Sequence, residues 1–246
     1  MEYQTLETLE LGGLRVFVRS GTSDRVVAED NLIHHSYEKR FPICEGECWL
    51  DVGGYIGTFA LRVLQVGGRV LSCEPDPNNL EMYKKNITEN EFSASVLNTA
   101  VVAHPVGKEI TFYRNEYRGN LAGSSTVNRW KRPRPCIQVP CLSFSEVLSQ
   151  ALKKFRKPVC VKLDCEGAEI EILERLTDHD ANRIKKLVLE YHFGFDKSLS
   201  RLRNIISRLE RQGLDVWPEH KIPVGDEWKN FRKITMQIFA QQRETF

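Results

Sequence analysis

No strong imbalance of charge marks this chain. Its 246 residues carry 35 Lys and Arg against 33 Asp and Glu, a formal net charge of +2. A protein held to a polyanion mainly through phosphate contacts is usually more basic, so composition gives no nucleic-acid signal. No apolar run approaches the roughly 20 residues that span a bilayer, and the opening stretch MEYQTLETLELGG is acidic, without the apolar core of a secretory signal. Membrane association is not expected. The seven cysteines are scattered and form no Cys-x-x-Cys pair. That pattern suits a reducing compartment, with a cytoplasmic location as the default, and it offers no tetrahedral metal spacing. Internal repeats, low-complexity tracts and an obvious interdomain linker are also missing. The expectation is a single domain over 1–246 with an N-terminal accessory segment of about 1–47.

What is present is an alternation. Leu14 to Val18 reads as a short strand, Arg19 to Asp24 as a turn and Arg25 to Arg40 as a largely polar helical stretch. Short apolar strands then alternate with helices: strand Cys48–Asp51, helix Thr58–Val66, strand Arg69–Glu74, helix Pro75–Asn90 and strand Ser95–Val102. After two further strands, Glu109–Arg114 and Cys136–Cys141, the alternation resumes. It runs through helix Ser143–Phe155, strand Val159–Asp164, helix Glu166–Leu176, strand Lys186–Tyr191 and helix Leu199–Gln212, and closes on strands Leu214–Trp217 and Ile234–Ala240. This grammar predicts an α/β fold with a doubly wound, mostly parallel sheet. The long segment from Glu116 to Pro135 fits neither element type and is expected to help cover a site.

Such sheets bind ligands at the carboxyl ends of their strands. Asp51-Val-Gly-Gly-Tyr-Ile-Gly57 turns a strand into a helix there. It is neither the dinucleotide G-x-G-x-x-G nor a P-loop. Glu74, about 20 residues on, ends the next strand, where an acid commonly accepts ribose hydroxyls. An acid ahead of the glycines suits an ammonium group and repels a diphosphate, which favours S-adenosylmethionine over NAD.

The same residues resemble the FkbM family of methyltransferases. Four stretches carry the resemblance: Leu50-Asp-Val-Gly-Gly-Tyr-Ile-Gly57, Cys73-Glu-Pro-Asp-Pro77, Val161-Lys-Leu-Asp-Cys-Glu-Gly-Ala-Glu169 and Leu189-Glu-Tyr-His192. Gly21-Thr-Ser-Asp24 also looks like that family's N-terminal segment, so the likeness runs from about Arg15 to Ala240. It implies a Rossmann-like fold of the class I methyltransferase type and O-methylation of hydroxyls on sugars or other small molecules. Where the family usually has Ala and Asn, this chain has Gly54 and Tyr55, and Tyr55 is expected to reshape the methionine end of the cofactor site.

The expected cofactor contacts are Asp51, Gly53, Gly54, Tyr55, Gly57, Glu74, Asp76, Asn98, Thr99, Ala100, Ser125 and Asp164. Asp76 is implied by the resemblance; its other reading is a helix cap. Asp164, Glu190 and His192 end two strands expected to lie side by side, and are the candidate acids and bases for an acceptor hydroxyl. A divalent cation on the same three residues is the alternative reading, though no metal is the primary expectation. The expected function is S-adenosylmethionine-dependent O-methylation of a glycan or small-molecule hydroxyl. The alternatives are an RNA or protein methyltransferase, for which the basic run Arg129–Arg134 is the one feature, and a cofactor-binding module without turnover.

Overall fold

The computed structural model describes residues 5–115, 119–128, 133–193, 199–222 and 235–243. In chain order the elements are β1 (Leu6–Leu11), β2 (Leu14–Arg19), α1 (Asp24–Leu32), a 3₁₀ turn (Ser36–Glu38), β3 (Cys48–Val52), α2 (Thr58–Gln65) and β4 (Arg69–Cys73). They continue with α3 (Pro77–Glu89), β5 (Ser95–Leu97), β6 (Ala100–Val102), β7 (Glu109–Tyr113), β8 (Cys136–Ser143), α4 (Phe144–Phe155), β9 (Val159–Leu163) and α5 (Ala168–Glu174). The last are α6 (Asp178–Ala181), β10 (Ile184–His192), α7 (Ser200–Arg211), β11 (Leu214–Pro218) and β12 (Thr235–Gln242).

Seven strands form the central sheet in the order β11-β12-β10-β9-β3-β4-β5. The run from β10 to β5 is parallel, and β12 enters antiparallel between β10 and β11. The chain therefore has an α/β, mostly parallel, Rossmann-like architecture. The central strands β3 and β9 are buried at every position, as near-continuous apolar runs covered by helices on both faces should be. Helix α4 ends its strand cleanly because Ser143 and Glu146 make a reciprocal capping box. Helix α7 buries Leu202, Ile205 and Leu209 along one stripe, and its half-buried Arg208 donates to the Leu176 carbonyl.

Three elements differ from expectation. The N-terminal strand is half of a hairpin: β1 pairs β2 across a Gly12-Gly13 turn, and β1 alternates exposed and half-buried residues, so its apolar signal is weak. The helix placed over Arg25–Arg40 stops at Leu32, and His35 turns left-handed (φ 48°) before the 3₁₀ turn. The strand placed over Ser95–Val102 is two strands in two sheets: β5 edges the central sheet, whereas β6 joins β8 and β7 in a second, three-stranded sheet. Asn98 makes the break, because its side-chain amide donates to the carbonyls of Glu74 and Pro75 and holds the chain at the end of β4.

The hairpin is locked to the central layers by Asn86 of α3. Its Oδ1 accepts from the Phe17 amide (2.7 Å), and its Nδ2 donates to the carbonyls of Phe17 (3.2 Å) and Ile56 (2.9 Å). Asn86 is fully buried, so truncation strands backbone groups at about 1–3 kcal/mol each. Asn86→Ala is predicted to lower stability by about 2–4 kcal/mol in urea titration; an unchanged midpoint would show that these bonds are replaced by water.

Candidate active site

Parallel order places the ends of β3, β4, β9 and β10 on one edge of the sheet, and a cleft of about 430 Å³ opens there. The glycine turn after β3 forms its floor. Gly53 and Gly54 both donate their amides to the Cys73 carbonyl at the end of β4, and the Asp164 amide donates to the Val52 carbonyl. Gly53 has φ +88°, and a Cβ there would sit 1.9 Å from the Asp164 carbonyl oxygen, so only glycine lets the two turns touch. Gly54 stands over Ser72 and the Tyr83 ring, with 3.2 Å and 3.4 Å for an added Cβ, so an alanine there would press on both side chains.

Glu74 lies on the cleft wall with its carboxylate fixed from behind. Oε2 accepts from the Tyr55 amide (2.8 Å), and Oε1 accepts from the Asp76 amide (2.9 Å) and Asn79 Nδ2 (3.3 Å). Burial pushes its pKa up to about 7, against the opposing pull of those donors. Thr99, Ala100, Val101 and Phe112 continue the wall at this end. Tyr55 has a left-handed backbone (φ 48°) and sends its hydroxyl away to Asp24 and Ser23. Its ring therefore forms part of the wall as a tie to the N-terminal segment.

At the other end stands a charged cluster. Lys162 of β9 is buried, and its Nζ donates to Asp51 Oδ1 (3.1 Å) and the Gly53 carbonyl (2.8 Å) and lies 3.8 Å from Asp164 Oδ2. Burial alone would pull its pKa down; Asp51 and Asp164 outweigh that and hold it above the ordinary lysine value. Tyr37, from the 3₁₀ turn, donates its hydroxyl to Asp164 Oδ2 (2.8 Å), and burial and the Asp164 charge keep that hydroxyl protonated. Glu190 faces the same space, its pKa raised to about 7 by burial first and by Asp164 second. His192 is 2% exposed; its Nδ1–H donates to Glu169 Oε1 (2.8 Å), and Nε2 lies 3.3 Å from Glu166 Oε2. Burial would make the ring neutral, but the two glutamates win and raise its pKa well above the usual value.

The cleft wall includes Gly53, Gly54, Tyr55, Glu74, Thr99, Ala100, Asp164 and Glu190 of the expected site residues. Others lie behind it. Asp51 is fully buried, occupied by Lys162 and Ser72. Gly57 packs on Tyr83. Asp76 caps α3 and pairs with Arg114 through both oxygens at 2.8 Å. Asn98 is spent on backbone carbonyls, and Ser125 donates to the Glu166 carbonyl at 2.7 Å while its neighbours Ser124 and Thr126 line the cleft. His192 stands behind the wall, its ring held between Glu169 and Glu166. Of the basic run Arg129–Arg134, residues 129–132 lie outside the described residues, as do 116–118 of the long segment. Sequence reasoning did not single out Lys162, Tyr37, Phe112 or Gln237. For Lys162 a signal existed, a lone cation inside the apolar strand Val159–Leu163.

The family described as "Methyltransferase FkbM domain" matches residues 51–215, two thirds of the sequence, and spans the whole cleft floor. The chain belongs to this methyltransferase family. No curated protein gives a significant match. Among solved structures, a putative rRNA methylase from Clostridium thermocellum aligns at 10% identity over 87% of this chain and 95% of its own, with TM-score 0.49. The Methanococcus jannaschii fibrillarin pre-rRNA processing protein aligns at 12% identity over 100% and 86%, with TM-score 0.49. A Pyrococcus abyssi tRNA (uracil-54, C5)-methyltransferase in complex with S-adenosyl-L-homocysteine aligns at 13% identity over 96% and 44%, with TM-score 0.47. These likenesses are weak, and the fold assignment rests on this FkbM-family chain's own sheet order. Among the described residues, no helix is long and apolar enough to cross a membrane.

The buried Lys162–Asp51 pair generates a prediction. Lys162→Met leaves Asp51 charged and uncompensated in the core, at a cost of about 3–5 kcal/mol. In the variant, burial raises the folded-state pKa of Asp51 above its unfolded value. The penalty is therefore absent below the unfolded pKa and grows as pH rises through the folded one. Urea titrations are expected to show a large loss at pH 8 and a smaller one at pH 5. An equal loss at both would mean that Asp51 is not the group left exposed to the missing charge.

Proposed function

We propose that the cleft binds S-adenosylmethionine and that the enzyme methylates a hydroxyl of a neutral glycan or other polyol. One observation carries this reading: Glu74 and the Asp164–Glu190 pair open onto one cleft from opposite sides of the glycine turn. The Gly53–Gly54 floor, Glu74, Thr99 and Ala100 suit a nucleoside, with Val101 and Phe112 supplying apolar wall for its base. Asn31 Oδ1 is buried, lines the cleft and has no partner among the described residues, so a donor on the ligand would satisfy it. When bound, the cofactor supplies an electrophilic methyl group.

The chain's own residues do the rest. Tyr37 and Lys162 both address Asp164 Oδ2, at 2.8 Å and 3.8 Å, which leaves Oδ1 for the cleft. Asp164, with Glu190 beside it, accepts the acceptor's proton, a role worth about 100- to 10,000-fold. Holding the hydroxyl in line supplies much of the remainder. The acceptor end carries Asp30, Asp164, Glu166, Glu190 and Glu219 against Lys39 and Lys162 among the described lining residues. An excess of carboxylates repels a polyanion, which supports a neutral or cationic acceptor over RNA.

Calorimetry with S-adenosylhomocysteine tests the cofactor. Binding is expected, weakened about 5- to 150-fold by Glu74→Ala, equivalent to about 1–3 kcal/mol for unmatched polar partners. Because Glu74 titrates near 7, lowering the pH from 8 to 6 protonates it and removes the charge that ribose hydroxyls meet. Affinity is expected to fall a few-fold over that range in the wild type and to stay flat in Glu74→Gln. Asp164→Asn is expected to lower methyl transfer at least about 100-fold with affinity within a few-fold of wild type. Absent binding, or full turnover in Asp164→Asn, would contradict the proposal.

A further inference from the structure

Asp164, Glu190 and His192 each offer a ligand atom, and these atoms all lie within 4.8 Å of one another. Donors at about 2.1 Å from one ion lie about 3.0 Å apart when adjacent and about 4.2 Å apart when opposite, so the three side chains close a shell by drawing together by up to about an ångström each. Two further observations point to a ligand there. Gln237 of β12 is directly opposite Glu190 in the antiparallel register, which puts the two side chains on one face. It lines the cleft at 8% exposure, and its Oε1 has no hydrogen-bond partner among the described residues. A buried amide oxygen without a donor is costly and is a hard oxygen ligand. Second, Glu169, fully buried on α5, takes the His192 ring at Nδ1 and the His192 amide. That leaves Nε2, now 3.3 Å from Glu166 Oε2, as the nitrogen a cation would take by displacing that contact, and a carboxylate behind a histidine is the usual way to orient it for a metal.

We propose that Asp164, Glu190 and His192 hold a hard divalent cation, Mn²⁺ or Mg²⁺, with Gln237 Oε1 as a fourth protein ligand. Two carboxylates, an amide oxygen and one imidazole favour these ions over zinc or copper, which take more nitrogen or sulfur. Charge balance agrees: among the described residues, Asp51, Asp164, Glu166, Glu169 and Glu190 are set against Lys162 and His192. Binding exchanges the Nε2 proton of His192 for the ion. The site stands on geometry alone. Its role rests on the methyl-transfer reading: the cation would take up one or two neighbouring hydroxyls of the acceptor and make the reacting one more acidic, and that hydroxyl's proton would pass to an oxygen of Asp164 or Glu190 that is not bound to the ion.

The test is an electron paramagnetic resonance titration of Mn²⁺ into chelator-stripped protein, with S-adenosylhomocysteine calorimetry on the same samples. One bound Mn²⁺ per chain, displaced by Mg²⁺, is expected. Glu190→Gln and Gln237→Leu should each weaken it at least about ten-fold while circular dichroism stays native. No bound Mn²⁺ at millimolar concentration, or unchanged affinity in both variants, would overturn the site. Loss of S-adenosylhomocysteine binding with Mn²⁺ binding intact would instead defeat the cofactor reading and leave the metal site standing.

Discussion

Burying an ammonium group among apolar strands is expensive unless its charge is met, and the edge of this sheet is organised around meeting one. Lys162 lies 4% exposed between Asp51 on β3 and Asp164 at the end of β9. Its third contact is the Gly53 carbonyl, inside the turn that floors the cleft. One side chain thus ties the two central strands, the glycine turn and the acid facing the acceptor into a fixed arrangement. Asp51 serves that arrangement from within the core, which is why it does not reach the ligand space itself.

A second buried network sets the neighbouring turn. Glu166 adopts φ 55°, a strained conformation for a non-glycine residue of the sort held where its surroundings over-determine it, and Gly167 follows at φ 111°, which glycine adopts freely. Glu169 accepts from the Gly167 amide at 2.7 Å and from His192, and Ser125 reaches across from the long segment to the Glu166 carbonyl. Helix α5, strand β10 and the segment around residues 119–128 are therefore positioned together. At the far mouth, Lys39 and Glu219 close an ion pair of 2.7 Å between the N-terminal region and the end of β11. The acceptor end is thus walled by pieces distant in sequence.

The strand–helix alternation was legible because each central strand is buried on both faces and each helix begins or ends with recognisable chemistry. The glycine turn, Glu74, Asp164 and Glu190 were legible for a related reason: acids that end apolar strands have nowhere to go but the sheet edge. The hairpin was missed because β1 is an exposed edge strand with mixed composition, although Gly12-Gly13 between two alternating runs is a hairpin signal. The break at Asn98 was unreadable from propensity, since it depends on carbonyls 23 and 24 residues away. Asp51 and His192 were read as cleft residues from their strand positions. Their burial depends on a lysine and two glutamates whose partners only folding reveals. Gln237 lacked any signal, being one polar residue in a closing strand whose register against β10 is a tertiary fact.

The central claim is the direction in which the cofactor lies across this edge, and a crystal structure with S-adenosylhomocysteine tests it most directly. The account predicts the ribose hydroxyls within hydrogen-bond reach of Glu74, and the sulfur over the Gly53 turn facing Asp164 and Glu190. A ligand bound elsewhere, or one whose sulfur points toward Thr99 and Phe112 and away from the acidic pair, would contradict it.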